Sequence, residues 1–194
     1  MKRLILVTSP PACGKTYISK KLAESLRHVV YLDKDTLIGL SNVIFDVAGE
    51  KRNRSSAFFE EHIRNAEYEV IVALALEALQ YDDIVLINAP FSREIRDADY
   101  IAALRAKLCS LGARLTVVWV ETSPEVCRER MAARNSDRDT WKLAHWEEYL
   151  ATRDFSIPQN LDDPTVIDDL LVFHNSSDEE FRQSMSDILR ILEG

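Results

Sequence analysis

The chain alternates short, nearly continuous apolar runs with longer stretches in which apolar residues recur every three or four positions. The runs fall at residues 4–8, 29–32, 84–88, 115–120 and 170–174. They are rich in Val, Ile and Leu and show little polar alternation, as strands covered on both faces do. Between the second and third runs, Phe59, Ile63, Ala66, Val70 and Leu74 recur at helical spacing and predict a helix that buries that face. Gly112, after Leu108 and Leu111, reads as a helix stop ahead of the fourth run. Residues 155–169, with Pro158, Pro164 and several aspartates, read as a surface loop. Residues 178–192 close the chain as an amphipathic helix with Phe181, Met185, Ile188, Leu189 and Leu192 facing inward. Strand-like runs alternating with helical stretches predict an α/β fold of three layers, a five-stranded parallel sheet flanked by helices.

In such a sheet ligands bind beyond the carboxyl ends of the strands, so chemistry is sought just after each run. The first run leads into Ser9-Pro10-Pro11-Ala12-Cys13-Gly14-Lys15-Thr16, and a helix-compatible segment follows at once. Strand, loop ending Gly-Lys-Thr and helix form the context of a phosphate-binding P-loop. Loop amides and the helix N-terminus face an anion, Lys15 adds a positive charge, and the Thr16 hydroxyl is placed for Mg²⁺. Ser9, Ala12, Cys13, Gly14, Lys15, Thr16 and Tyr17 are therefore candidate nucleotide-binding residues. Ser9 stands where the pattern G-x-x-x-x-G-K-[ST] has its first glycine, and Ala12 where a small-molecule-kinase variant has another. Both are small enough for the loop to close, and nucleotide affinity is the property these substitutions put at stake. Cys13, beside a helix N-terminus, is expected to have a lowered pKa, so that modifying it blocks nucleotide binding.

The second run ends Tyr31-Leu32-Asp33-Lys34-Asp35. Two carboxylates two residues apart on extended chain point the same way, toward the mouth of the sheet. One suits activation of an acceptor hydroxyl and the other the surroundings of Mg²⁺. Asp35 is the candidate base and Asp33 the candidate metal residue; Asp35 ahead of Thr36-Leu37-Ile38 also suits a helix N-cap. Asn88 closes the third run where P-loop enzymes often carry a Mg²⁺-associated aspartate, which leaves Asp33 as its substitute. After the fourth run, Arg130, Arg134 and Arg138 fall at i, i+4 and i+8, on one face of a continuing helix. Guanidinium groups there would stabilise a transferring phosphoryl group; the alternative is a solvated face paired with Glu125 and Glu129. Asn175 and Ser176 follow the fifth run.

With Gly14-Lys15-Thr16, Asp35 and the arginine segment 128–138, the chain resembles the small P-loop kinases. That group includes polynucleotide 5′-hydroxyl kinases, zeta-toxin-like kinases, chloramphenicol phosphotransferase and AAA-type ATP-binding proteins. The resemblance implies a single kinase-like domain over 1–194 with strand order 2-3-1-4-5, a helical acceptor region at 36–81 and a lid at 125–153. It implies ATP and Mg²⁺, Asp35 as proton acceptor, Arg134 and Arg138 on the phosphates, and backbone at Asn175 and Ser176 beside the adenine. The expected reaction is transfer of the ATP γ-phosphate to a hydroxyl of a small molecule or a nucleic-acid end, the acceptor left open. A nucleoside-monophosphate kinase, using Arg54, Arg64 and Arg93, is one alternative. A nucleotide-binding module without chemistry, as Ser9, Ala12 and Asn88 suggest, is the other.

Composition narrows this only slightly. The 194 residues are 46% hydrophobic and 29% charged, ordinary values for a soluble globular chain. A net charge of -8 disfavours nonspecific nucleic-acid or anionic-membrane binding, though not a local basic cleft. Cys13, Cys109 and Cys127 form no CxxC pair, so a disulfide framework is not expected and a reducing cytoplasm is. The N-terminal apolar run is too short for a signal peptide, and no segment is long enough to span a bilayer. Arg54 and Arg64 lie in the acceptor region, where Glu60 at four residues' distance predicts an ion pair with Arg64. Trp141 and Trp146 flank His145, and the four histidines show no metal-ligand spacing.

Overall fold

The computed structural model describes residues 2–151, 154–161 and 167–193. Each predicted strand is present: β1 (Lys2–Thr8), β2 (Val29–Asp33), β3 (Ile84–Asn88), β4 (Ala113–Glu121) and β5 (Asp169–His174). They form one parallel sheet in the order β2-β3-β1-β4-β5. Nine helices among the described residues surround it: α1 (Lys15–Ser25), α2 (Ile38–Ala48), α3 (Ala57–His62), α4 (Arg64–Ala78), α5 (Ala98–Ser110), α6 (Pro124–Arg134), α7 (Asp137–Ala144), α8 (Trp146–Ala151) and α9 (Asp178–Glu193).

Successive strand residues point to opposite faces, and both faces are covered. Leu4, Leu6, Val85, Ile87, Leu115 and Val117 pack on one side with Ile71 and Ala75 of α4 and Ile101, Leu104 and Leu108 of α5. Ile5, Val7, Leu86, Val118 and Val120 pack on the other with residues of α1, α6 and α9. This two-sided burial is why the strands read as unbroken apolar runs. Phe181, Met185 and Leu189 pack against the second cluster beside buried Ile188 and Leu192, as the spacing of the last helix requires. Helix α5 ends at Ser110, and Gly112 supplies the left-handed turn (φ 65°) that leads into β4.

Two expectations change. The stretch 59–74 is not one helix burying one apolar face. It breaks at Ile63 into α3 and α4, and the buried face runs through Ile63, Glu67, Ile71 and Ala75. Ala66, Val70 and Leu74 face solvent. The reason is that two charged residues, Arg64 and Glu67, lie inside, so a pattern read from apolar residues slips around the helix. The loop 155–169 is also more than surface: Leu161 and Ile167 are buried in the first cluster, while 162–166 lie outside the described residues. Among the described residues no helix is long and apolar enough to cross a membrane.

Candidate active site

Parallel register brings the strand ends to one rim. Val7 of β1 is level with Asn88 of β3, Asn88 with Asp33 of β2, and Thr8 with Trp119 of β4. Beyond them opens a cleft of about 690 Å³ that touches loop residues 9–12 and 14–17, Asp35, Arg93, Arg130, Arg134 and Lys142.

The loop runs from the end of β1 into the start of α1. Ala12 (φ 67°) and Gly14 (φ 88°) both adopt left-handed backbone, which turns successive amides inward as an anion-binding nest does. At Ala12 a side chain is carried where glycine is at ease, a strain on the order of 1 kcal/mol. Gly14 has a second constraint: a Cβ there would lie 2.5 Å from Asn175 Nδ2. That amide nitrogen donates to the Cys13 carbonyl at 2.7 Å. The same carbonyl accepts from Thr122 Oγ1 at 3.1 Å and from Arg130 at 3.4 Å, and Arg130 also donates to the Asn175 carbonyl at 2.9 Å. The loop is thus clamped from behind by β4, β5 and α6. The Asn175 side chain holds the loop, and Ser176 Oγ accepts from the Ser123 amide, tying the two strand ends together. Tyr17 lies 58% exposed at the cleft edge, its ring 5.6 Å from that of Phe181. Ser9 is buried at the base of the loop.

Asn88 is the hub at the end of the loop. Its Oδ1 accepts from Lys15 Nζ at 2.6 Å, and its Nδ2 donates to Asp33 Oδ2 at 2.9 Å and to Thr16 Oγ1 at 3.3 Å. Lys15, Thr16 and Asp33 therefore meet through one neutral amide. Burial lowers the Lys15 pKa to about 8, with Asp35 and Asp33 opposing the shift by their charge. Tyr31, donating to Asp33 Oδ2 at 3.1 Å, is pushed up to about 12 by burial and then by the Asp33 charge.

Asp35 follows on a short 3₁₀ turn, Lys34–Leu37, with its side chain 67% exposed in the cleft. The cap of that turn is Asp33, which accepts from the Asp35 amide at 3.0 Å, so the expected N-cap role of Asp35 belongs to Asp33. Between the two aspartates, Lys34 turns inward and is buried. Its Nζ lies 2.7 Å from Glu67 Oε2, which Arg54 grips bidentately at 2.5 and 2.7 Å and Ser41 reaches at 2.5 Å. Burial alone would raise the Glu67 carboxyl, but hydrogen bonds from Arg54, Lys34 and Ser41 outweigh it and draw the pKa down to about 2. This buried cluster, absent from the sequence reading, fixes the turn that presents Asp35. The extended chain expected through Asp35 ends at Asp33, and the 3₁₀ turn that starts at Lys34 carries the lysine inward to its counter-charge.

The arginine segment differs from expectation. Helix α6 ends at Arg134, and Asn135 caps it in left-handed conformation (φ 47°), so Arg130, Arg134 and Arg138 do not share one helical face. Arg130 and Arg134 both reach the cleft; the Arg138 side chain lies outside the described residues. Arg134 is paired with Asp139, which is fully buried and also held by Lys142 at 2.9 Å, and not with Glu125 or Glu129. Arg64 pairs with buried Glu94 at 2.8 Å, whereas Glu60 pairs with Arg93 at 2.6 Å. Trp141 stacks on His145 at the surface, and Trp146 packs in the second cluster; neither lines the cleft.

Cys13 also departs from expectation. Its side chain turns away from the cleft into the second cluster, 1% exposed, with its Sγ 3.5 Å from Cys127 Sγ on α6. The hydrogen bond with Cys127 and then burial push the Cys13 thiol up, not down.

Comparison with known proteins bears on the fold. The AAA domain family matches residues 4–155. No curated protein matches the chain. Among solved structures, a presumed kinase from Chloroflexus aurantiacus superposes with a TM-score of 0.66 at 21% identity, covering 99% of this chain and 97% of that one. A gluconokinase from Sinorhizobium meliloti gives a TM-score of 0.52 at 16% identity, with 99% and 93% covered. An APS kinase from Mycobacterium tuberculosis, in complex with AMPPNP and APS, gives a TM-score of 0.52 at 17% identity, with 100% and 98% covered. The fold is that of these P-loop kinases.

Proposed function

The chain belongs to the AAA domain family, and from that premise we propose that it is an ATP-dependent kinase that transfers the γ-phosphoryl group to a hydroxyl of a small molecule or a nucleic-acid end. One observation carries the reading. Lys15, Thr16 and Asp33 converge on Asn88 at the end of the loop, and Asp35 stands in the same cleft. Phosphoryl transfer asks for cationic groups on the phosphates and a carboxylate at the acceptor, and little else.

The roles follow from the surroundings of each group. Amides of residues 12–16 at the loop end and the start of α1 receive the phosphates. Lys15, with a pKa near 8, is mostly charged at neutral pH and adds its ammonium group. The Thr16 hydroxyl and the Asp33 carboxylate are hard oxygen donors joined through one amide, a set that fits Mg²⁺. The metal, when bound, neutralises charge on the phosphate oxygens. Asp35 takes the proton of the acceptor hydroxyl, held by the 3₁₀ turn that Lys34 and Glu67 anchor. Arg134, and Arg138 by resemblance, come from the lid at 125–153; residues 36–81 wall the acceptor side, and the backbone at Asn175 and Ser176 passes beside the adenine. Three free cysteines suit a reducing cytoplasm.

The nucleoside-monophosphate alternative fares worse. It needs cations at the cleft for an acceptor phosphate, yet Arg54 and Arg64 are held by Glu67 and Glu94 and of the three arginines Arg93 alone lines the cleft. Calorimetric titration with AMPPNP and Mg²⁺ tests the phosphate side: wild type binds, and Lys15→Ala loses binding. Transfer of labelled γ-phosphate to a panel of hydroxyl compounds then tests the acceptor side. Asp35→Asn retains nucleotide affinity and loses turnover by about 10²–10⁴-fold. A wild type that binds no nucleotide overturns the proposal, and undiminished turnover in Asp35→Asn removes the base.

A further inference from the structure

We propose that Cys13 and Cys127 form a reversible disulfide under oxidation, and that this bond lowers the affinity of the phosphate loop for nucleotide. The second half of the inference rests on the nucleotide-binding reading above; the first does not.

The two sulfurs lie 3.5 Å apart, each the other's hydrogen-bonding partner. One belongs to the loop residue immediately before Gly14-Lys15, the other to the second turn of α6. A cysteine buried among apolar groups is ordinarily inert, and both are buried. This pair differs because an oxidised sulfur at either position meets a second thiol at contact distance. The shared hydrogen bond draws Cys127 down while it pushes Cys13 up. Both sulfurs lie in the core behind the loop, so an oxidant reaches them only when the loop moves off α6.

The chemistry requires a hydroperoxide as oxidant. The Cys127 thiolate attacks one peroxide oxygen, the O–O bond breaks, and the released hydroxide takes a proton to leave as water. The Cys13 thiol then attacks the resulting sulfenic sulfur, losing its proton as the S–O bond breaks and a second water departs. Two thiols and one hydrogen peroxide give one disulfide and two waters, and a dithiol reverses the bond.

Closing the bond brings the sulfurs from 3.5 Å to about 2.05 Å. Helix α6 is the stiffer partner, since Cys127 sits within its hydrogen-bonded ladder and packs in the core. The loop yields instead. The Cys13 carbonyl is the point that Asn175, Thr122 and Arg130 clamp, so drawing Cys13 toward α6 strains that clamp and shifts the amides of Gly14 and Lys15 that follow it. Displacing one amide from a charged oxygen weakens binding by about 10- to 100-fold. Linkage makes the effect reciprocal: nucleotide must disfavour the disulfide by the same factor.

The test uses the full chain carrying Cys109→Ser, which removes the exposed third thiol. After hydrogen peroxide, intact mass is expected to fall by about 2 Da, and peptide mapping to join residues 13 and 127. The Kd for AMPPNP with Mg²⁺ is expected to rise at least tenfold and to return with dithiothreitol. Saturating AMPPNP slows cross-linking. Cys127→Ser, checked for folding by thermal melting, retains its affinity after peroxide. Two thiols still free after exhaustive oxidation overturn the disulfide. A complete 13–127 bond with unchanged Kd overturns its effect on the loop. Should the reduced protein bind no nucleotide, the kinase reading falls, and the mass measurement still decides whether the pair cross-links.

Discussion

Replacing Glu67 by Gln should cost this protein more than any comparable change on its surface. The carboxylate is 4% exposed and holds Lys34 at 2.7 Å, Arg54 bidentately and Ser41 at 2.5 Å. Its pKa falls from an ordinary 4.5 to about 2, the hydrogen bonds having overcome burial. That difference corresponds to about 3 kcal/mol favouring the charged form in the folded state. Glutamine keeps the shape but leaves buried Lys34 without its counter-charge, and breaking such a pair costs about 3–5 kcal/mol. For a chain of this size the melting temperature should drop by roughly 6–20 °C. Acid provides the second handle. A carboxyl with a depressed folded pKa contributes fully above its unfolded value, and the contribution disappears as pH falls from about 4.5 toward 2. Urea unfolding at a series of pH values should therefore show a wide gap between wild type and Glu67→Gln near neutrality that narrows in that window. Turnover should fall in the variant as well, because Lys34 anchors the turn that carries Asp35. A gap below about 1 kcal/mol at neutral pH, or one that does not close in acid, would refute the assignment of Glu67 as the charged anchor.

Gly14→Ala places a Cβ 2.5 Å from Asn175 Nδ2 at φ 88°; it should lose about 2 kcal/mol or more of stability together with nucleotide binding, read by urea unfolding and calorimetry. Affinity for AMPPNP should weaken as pH rises above about 8, by up to tenfold per pH unit, because burial has lowered Lys15 and the phosphates need its charged form. A Kd constant to about pH 9.5 would contradict that role. Lys15→Ala should abolish nucleotide binding, and Asp35→Asn should separate binding from turnover, in the titration and transfer assays described above.

What the sequence disclosed and what it hid divide along a physical line. The strands were legible because both faces of the sheet are covered, so burial wrote itself as unbroken Val, Ile and Leu. The loop was legible because Gly-Lys-Thr after a strand has few other uses. Hidden were the places where charge is buried or where direction reverses. Charged residues read as solvent-facing, so Arg64 and Glu67 turned the apparent face of α4 the wrong way. The helix-terminus argument for Cys13 assumed a side chain pointing outward; the left-handed residues on either side of it send the sulfur into the core. The arginine face failed on one residue, Asn135, whose left-handed cap ends α6 before the third arginine. Lys34 shows that such concealment has a use. Asp35 reaches the cleft from the 3₁₀ turn that starts at Lys34, and the buried lysine anchors that turn to Glu67. The carboxylate proposed as the base is thus set by a charge pair on its inner side, so stability and turnover should fail together when Glu67 is neutralised.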